Sequence, residues 1–220
     1  PGQPIPIATD VEVPAALALG EAALDGTNVR TAAVRYYPSK ANAAGLLGYV
    51  SGGEGKSGLE AQYDAALRGI PGQSRQELTR QGSSTTEVTQ QPVPGDVLKT
   101  SIDVRTQAVA EQALQDAVET ARAEGYKATG GSVVVLKADT GEVVAMASYP
   151  TYDPNIWAHG VTDAEYAALT DERSGLPLVF RPTQALAPPA STFKSLTTVA
   201  AIDAGFDTRD VYDCPSSVVV

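Results

Sequence analysis

Ser191 and Lys194 are the residues of this 220-residue chain whose types and spacing most directly spell out a reaction. They stand in Pro188-Pro189-Ala190-Ser191-Thr192-Phe193-Lys194, at the start of an apolar, helix-like stretch. A serine hydroxyl is a poor nucleophile at neutral pH and needs a base beside it. Residues three apart on a helix share a face, with Cβ atoms roughly 5–6 Å apart, so Lys194 can reach the Ser191 hydroxyl. A lysine that gives up its proton in a desolvated pocket can act as that base. The chemistry implied is nucleophilic attack by an activated serine hydroxyl. Taken alone, Ser-x-x-Lys also describes a solvated serine and lysine on any helix, so the surrounding elements decide its meaning.

The other combinations carry less. Gly55-Lys56-Ser57 resembles the end of a phosphate-binding loop, but the pattern needs a glycine five residues earlier, where the chain has Val50. A flexible turn is the plainer reading. Asp171 and Glu172 are adjacent, so on a helix they point apart and fit a solvated face better than a glycosidase pair. The single His159 excludes a histidine-rich metal site and reads as a loop residue. No Cys/His cluster has zinc spacing. The lone Cys214 is a buried thiol or pairs with a cysteine outside these residues. Tyr36-Tyr37, Tyr149-Pro150-Thr151-Tyr152 and Trp157 read as packing in core or loop.

Composition sets wider bounds. A formal net charge of −10 repels phosphate backbones and argues against nucleic-acid binding. Hydrophobic residues make up 43% of the chain, enough for a packed core. No apolar run reaches transmembrane length. The sequence opens on Pro1 and closes on Ser216-Ser217-Val218-Val219-Val220, which reads as a strand cut in the middle. The expectation is a piece of a longer protein that has lost an N-terminal segment.

The elements that must position Ser191 follow from periodicity. Residues 1–96 are rich in Gly, Pro, Ser and Gln and read as an irregular α+β module. Within it a helix is expected over Val13–Leu24, with Pro14 in its first turn. Leu46–Val50 reads as a strand or buried loop, Gly58–Leu67 as a helix ending at Gly69, and Leu78–Val88 as an exposed strand pair. Gln90-Gln91-Pro92-Val93-Pro94-Gly95 is the linker candidate. Residues 97–220 are more regular. Asp103 caps a helix whose apolar stripe is Ala110, Ala113, Leu114, Ala117, Val118 and Ala121, and Gly125 stops it. Ser132–Leu136 and Val143–Ala147 flank Asp139-Thr140-Gly141 as a hairpin. Both its faces are apolar, which predicts cover on each side. Pro150–Gly160 is a loop, and Asp163–Leu169 a helix capped by Thr162 or Asp163. The helix carrying Ser191 would bury Phe193, Leu196, Thr197, Ala200 and Ile202 and end at Gly205. A nucleophile in its first turn would sit among free backbone N–H groups, at the positive end of the helix.

With these residues in view, the chain resembles the class B penicillin-binding proteins. Pro189-Ala190-Ser191-Thr192-Phe193-Lys194 is similar to their PGSTFK box, with Ala190 at the glycine position. Gly131–Val135 and Thr140–Pro150 resemble the first hairpin, followed by Tyr152-Asp153-Pro154-Asn155. Thr100–Gln107 resembles the entry to the first transpeptidase helix. Gly55–Asp64 with Leu67-Arg68-Gly69 resembles the GLE box of the N-terminal pedestal, and Arg35-Tyr36-Tyr37-Pro38 and Leu47-Gly48-Tyr49-Val50 fit the same module. Residues 1–34 carry none of these boxes. The wording around Tyr149–Trp157 and Asp213-Cys214-Pro215 is most similar to actinobacterial, elongation-type members.

The resemblance implies an α+β chain: a pedestal, or dimerisation-like module, over 1–96, then the N-terminal half of a transpeptidase domain, an antiparallel sheet flanked by helices, over 97–220. It implies a D,D-transpeptidase that cross-links peptidoglycan through an acyl-serine. Ser191 would be the nucleophile and Lys194 its base, with no metal or organic cofactor. Implied partners are the D-Ala-D-Ala stem peptide, β-lactams, a membrane glycosyltransferase, and the C-terminal half bearing Ser-x-Asn and Lys-Thr-Gly. Neither of those two motifs occurs here; Lys56-Ser57-Gly58 only imitates the second, and precedes Ser191. The expected location is outside the cytoplasmic membrane, anchored through a preceding segment. A β-lactamase or β-lactam sensor shares the serine chemistry but lacks the pedestal. A non-catalytic wall scaffold would have no need for both Ser191 and Lys194.

Overall fold

The first helix, α1, spans Val13–Ala22 with Pro14 in its first turn, and none of its residues is buried. The apolar run read as a strand or buried loop divides. Ala44–Leu47 forms a helical turn, α2, and only Val50–Ser51 (β1) is extended, paired with Glu54–Gly55 (β2). The reason lies in Gly48, which leaves α2 at φ 78°. A Cβ there would lie 1.9 Å from the Ser57 carbonyl oxygen, so the backbone turns where a second backbone strand crosses it. The helix predicted over 58–67 is broken at Tyr63 into α3 (Gly58–Gln62) and α4 (Asp64–Leu67). Asp64 serves the neighbouring hairpin, its carboxylate accepting from Gly55 N at 2.8 Å. A strand pair is present but starts earlier than the predicted Leu78–Val88, as Gln73–Leu78 (β3) antiparallel to Ser84–Gln90 (β4).

The structure is a computed structural model that describes residues 7–8, 11–22, 24, 26–29, 34–78, 84–158 and 160–211. The readings of His159, Cys214 and the Ser216–Val220 run fall outside the described residues. The chain divides into two compact units, Pro1–Gln184 and Ala185–Val220.

Gln90–Gly95 is not a free linker. Ile70 and Val93 exchange both backbone hydrogen bonds at 2.9 Å, and Asp96 N donates to Ala66 O at 2.8 Å. The segment is tied along α4 instead of hanging between modules.

Helix α5, Val104–Ala123, begins as the sequence predicts: the Asp103 carboxylate accepts from Thr106 N at 2.7 Å. Its buried stripe is narrower than predicted. Ala110, Leu114 and Val118 are buried, whereas Ala113 and Ala117 are exposed. The stripe packs on the hairpin of β5 (Gly131–Leu136) and β6 (Val143–Tyr149), against Ala145, Ala147, Val133 and Val135. On the opposite face Val134 and Leu136 are 43% and 56% exposed, while Val144, Met146 and Ser148 are half-buried.

The sequence reading missed Gln107, which is 1% exposed. Its amide accepts from Met146 N at 2.7 Å and donates to Met146 O at 3.0 Å and to Glu111 at 2.7 Å. Asp103 N donates to Val144 O, and Ser101 Oγ to Val143 O. Residues 101–107 thus satisfy β6 backbone groups that β5 does not reach, which closes a strand edge.

Beyond β6 the predicted loop holds a 3₁₀ turn, Pro154–Ala158. Helix α6, Asp163–Thr170, opens on a full capping box between Thr162 and Glu165. Asp171 and Glu172 do not share a helix face, since Asp171 caps the next 3₁₀ turn by accepting from Arg173 N at 3.0 Å. The short α7, Arg181–Gln184, is fastened to β6 where Ser148 Oγ donates to Val179 O and accepts from Arg181 N, each at 3.2 Å.

Residues from both sides of the proposed 96/97 division meet inside the first unit. Tyr49 stacks on Trp157 at 3.9 Å and 6°, Tyr152 meets Tyr49 edge-on, and Ala43 N donates to Glu111 at 2.6 Å.

Candidate active site

Ser191 lies in the second unit, on a single 3₁₀ turn, Ala190–Phe193, that runs directly into α8, Lys194–Asp203. The sequence reading placed both residues on one α-helix. Here Ser191 stands on the 3₁₀ turn and Lys194 is the first residue of α8.

Local hydroxyls hold the turn. Thr192 donates to Pro189 O through both its backbone N–H, at 3.1 Å, and its Oγ1. Lys194 N donates to Ser191 O. Ser195 Oγ donates to Thr192 O at 2.9 Å, and Thr197 and Thr198 both donate to Lys194 O, at 2.9 and 2.8 Å. Sequence reasoning missed these supports, though a run of hydroxyl residues at i+3 and i+4 is the pattern that makes them.

Ala190 stands just before the nucleophile at φ 47°, in the left-handed region. A smaller residue there is therefore favoured by backbone conformation, a stricter demand than the close approach that the sequence alone implies. Alanine bears a cost of roughly 1–2 kcal/mol in that conformation, which glycine would not.

The side chains of Ser191 and Lys194 are exposed, and among the described residues no hydrogen bond joins them. The predicted burial of the α8 face is not found. Phe193 is 50%, Leu196 62% and Ile202 49% exposed, and no residue of α8 is buried. The stripe has the right periodicity but no element covers it among the described residues. Gly205 does follow the helix end, at φ 90°.

The rejected phosphate-loop motif is accounted for elsewhere. Gly55 belongs to β2, and Lys56 pairs with Glu54 at 2.7 Å.

Comparison with known proteins covers both parts of the chain. Residues 131–220 match the family model described as penicillin binding protein transpeptidase domain, and residues 1–100 match the penicillin-binding protein dimerisation domain. The second match takes in residues 1–34, for which sequence reading found no motif. The peptidoglycan D,D-transpeptidase MrdA of Escherichia coli K12 is 32% identical over 92% of this chain and 33% of its own length. PbpA of Mycolicibacterium smegmatis, a peptidoglycan D,D-transpeptidase, is 34% identical over 81% of this chain and 34% of its own length. Among solved structures, penicillin-binding protein PBP2 of Helicobacter pylori aligns with a TM-score of 0.65 at 25% identity, over 85% of this chain and 37% of that one. PBP2 of Pseudomonas aeruginosa, solved in complex with WCK 5153, gives 0.60 at 31% identity, over 86% of this chain and 40% of that one. The chain spans about a third of the length of the curated relatives it matches.

Proposed function

The chain belongs to the class B penicillin-binding proteins, which join a dimerisation domain to a transpeptidase domain, and we propose that it forms the first part of a serine D,D-transpeptidase acting on peptidoglycan stem peptides. The observation that carries this is Ser191 on the 3₁₀ turn with Lys194 three residues on, at the first position of α8, both inside the residues matched by the transpeptidase model. Ser191 Oγ attacks the carbonyl of the D-Ala-D-Ala bond while Lys194 accepts the hydroxyl proton. Collapse of the tetrahedral centre returns a proton to the departing D-Ala amine and leaves an acyl-serine. An amine on a neighbouring stem peptide then displaces the serine. The backbone N–H of Ser191 supplies one oxyanion donor, a contribution worth about 2.7–4 kcal/mol of barrier in sites of this kind. A β-lactam enters by the same attack and stays bound, because its amine remains tethered.

Residues 1–96 act in this reading as the pedestal and 97–220 as the first half of the transpeptidase domain. The Ser-x-Asn and Lys-Thr-Gly groups come from residues not among these 220, and they enclose the face of α8 that is exposed here. The enzyme works outside the cytoplasmic membrane beside a membrane glycosyltransferase. No helix among the described residues is long and apolar enough to cross a membrane, so the anchor in this reading is a separate segment.

Intact mass spectrometry of the full-length protein with a penicillin tests the assignment. One drug-sized adduct on Ser191 is expected, absent in Ser191→Ala, and formed about 10²–10⁴ times more slowly in Lys194→Ala. Labelling that survives in Ser191→Ala refutes the site. A wild-type protein that takes up no adduct favours the scaffold.

A further inference from the structure

We propose that Asn155 is a latch that fastens the segment 34–62 to the transpeptidase hairpin, and that releasing it opens this junction without unfolding α5 or β6. Its amide reads both backbone groups of one distant residue. Asn155 Oδ1 accepts from Tyr37 N at 2.9 Å, and Asn155 Nδ2 donates to Tyr37 O at 2.9 Å, across 118 positions of sequence. The side chain thereby does what a neighbouring strand would do for Tyr37.

Asn155 is itself held in one orientation. Asp153 Oδ1 accepts from Asn155 Nδ2 at 2.7 Å and from Asn155 N at 2.9 Å, which fixes which end of the amide faces which backbone group. On the far side, the Tyr37 hydroxyl accepts from Val50 N at 3.0 Å and lies 3.4 Å from Glu60, whose carboxylate pairs with Arg35 at 2.9 Å. A continuous set of bonds therefore runs from Asp153 through Asn155 and Tyr37 to β1 and α3.

Few other polar bonds cross here. Thr151 Oγ1 donates to Ala41 O at 3.3 Å, and Glu111 accepts from Ala43 N. The rest of the junction is aromatic, with Tyr49 on Trp157. Helix α5 and the β5–β6 hairpin have their own apolar core, which does not include Tyr37 or Asn155. Loss of the latch should therefore free one side while the other keeps its packing.

Hydrogen exchange on the full-length protein tests this, and it stands apart from penicillin labelling. Asn155→Ala should speed exchange in peptides covering 34–62 at least tenfold and leave peptides from α5 and β6 within twofold of wild type. Asn155→Asp keeps the acceptor for Tyr37 N but turns a second oxygen on Tyr37 O, so it should open the junction at least as far. Tyr37→Phe, which keeps the backbone contact with Asn155, should open it less than either. Unchanged exchange in 34–62, or an equal rise in 34–62 and α5, would overturn the proposal. Failure of Ser191 to label would leave it untouched.

Discussion

At the scale of single residues, two positions bear the most. Ala190 holds a left-handed φ that alanine adopts at a cost. Ala190→Gly relieves it, offset by the extra backbone freedom glycine brings to the unfolded chain. The expected net gain is up to about 1 kcal/mol, read as a shift in urea midpoint with an unchanged slope. Gln107 is a different case, a fully buried amide with every contact spent on Met146 and Glu111. Gln107→Ala strips the partner from the N–H and the C=O of the half-buried Met146 at once. Unpaired buried groups cost about 1–3 kcal/mol each, so a loss of roughly 3 kcal/mol or more is expected in equilibrium unfolding. Gln107→Glu, which cannot donate to Met146 O when ionised, should recover little of it near neutral pH.

At the scale of elements, the regular pieces were legible and the irregular ones were not. Helix α5 announced itself through Asp103, a 3.6-residue apolar period and Gly125, and the β5–β6 hairpin through its β-branched runs. These signals are local. The helical turn ending at Leu47 was not legible, because the short run Leu46–Val50, interrupted by Gly48, carries no period. What decides its conformation is a crossing with Ser57 and Gly58, nine or more residues away. Gly48→Ala tests that account: a Cβ has no room beside Ser57 O and the φ is unsuited to it. A destabilisation of about 3 kcal/mol or more is expected by thermal or urea unfolding, against about 1–2 kcal/mol for Gly53→Ala, where φ is 80° but a Cβ would meet nothing within 4 Å. The candidate site divided in the same way. Ser191 and Lys194 stand out in the sequence by type and spacing, while the 3₁₀ turn and the threonines on Lys194 O do not, since hydroxyl back-bonding leaves no hydrophobic pattern.

At the scale of the molecule, residues 41–57 and 151–157 meet in an aromatic junction whose phenols lie in low dielectric. Burial pushes Tyr152 up to about 12. Burial also raises Tyr37, helped by the nearby Glu60 carboxylate. Both phenols are neutral when folded below pH 10, near which an unfolded tyrosine ionises. Above that pH the unfolded chain loses protons that the folded chain keeps, so stability falls as pH rises from about 10 to 12. Tyr152 accounts for roughly 2–3 kcal/mol of that fall. Tyr152→Phe should flatten the alkaline limb of stability against pH. An unaltered limb would place the phenol in solvent.

The same junction carries its own optical label. Trp157 is the one tryptophan in the 220 residues, and its indole lies flat against the Tyr49 ring. Selective excitation of indole in this segment therefore illuminates a single place, where sequence-distant residues touch. Its emission maximum and quenching report whether that contact is closed, with no dye attached.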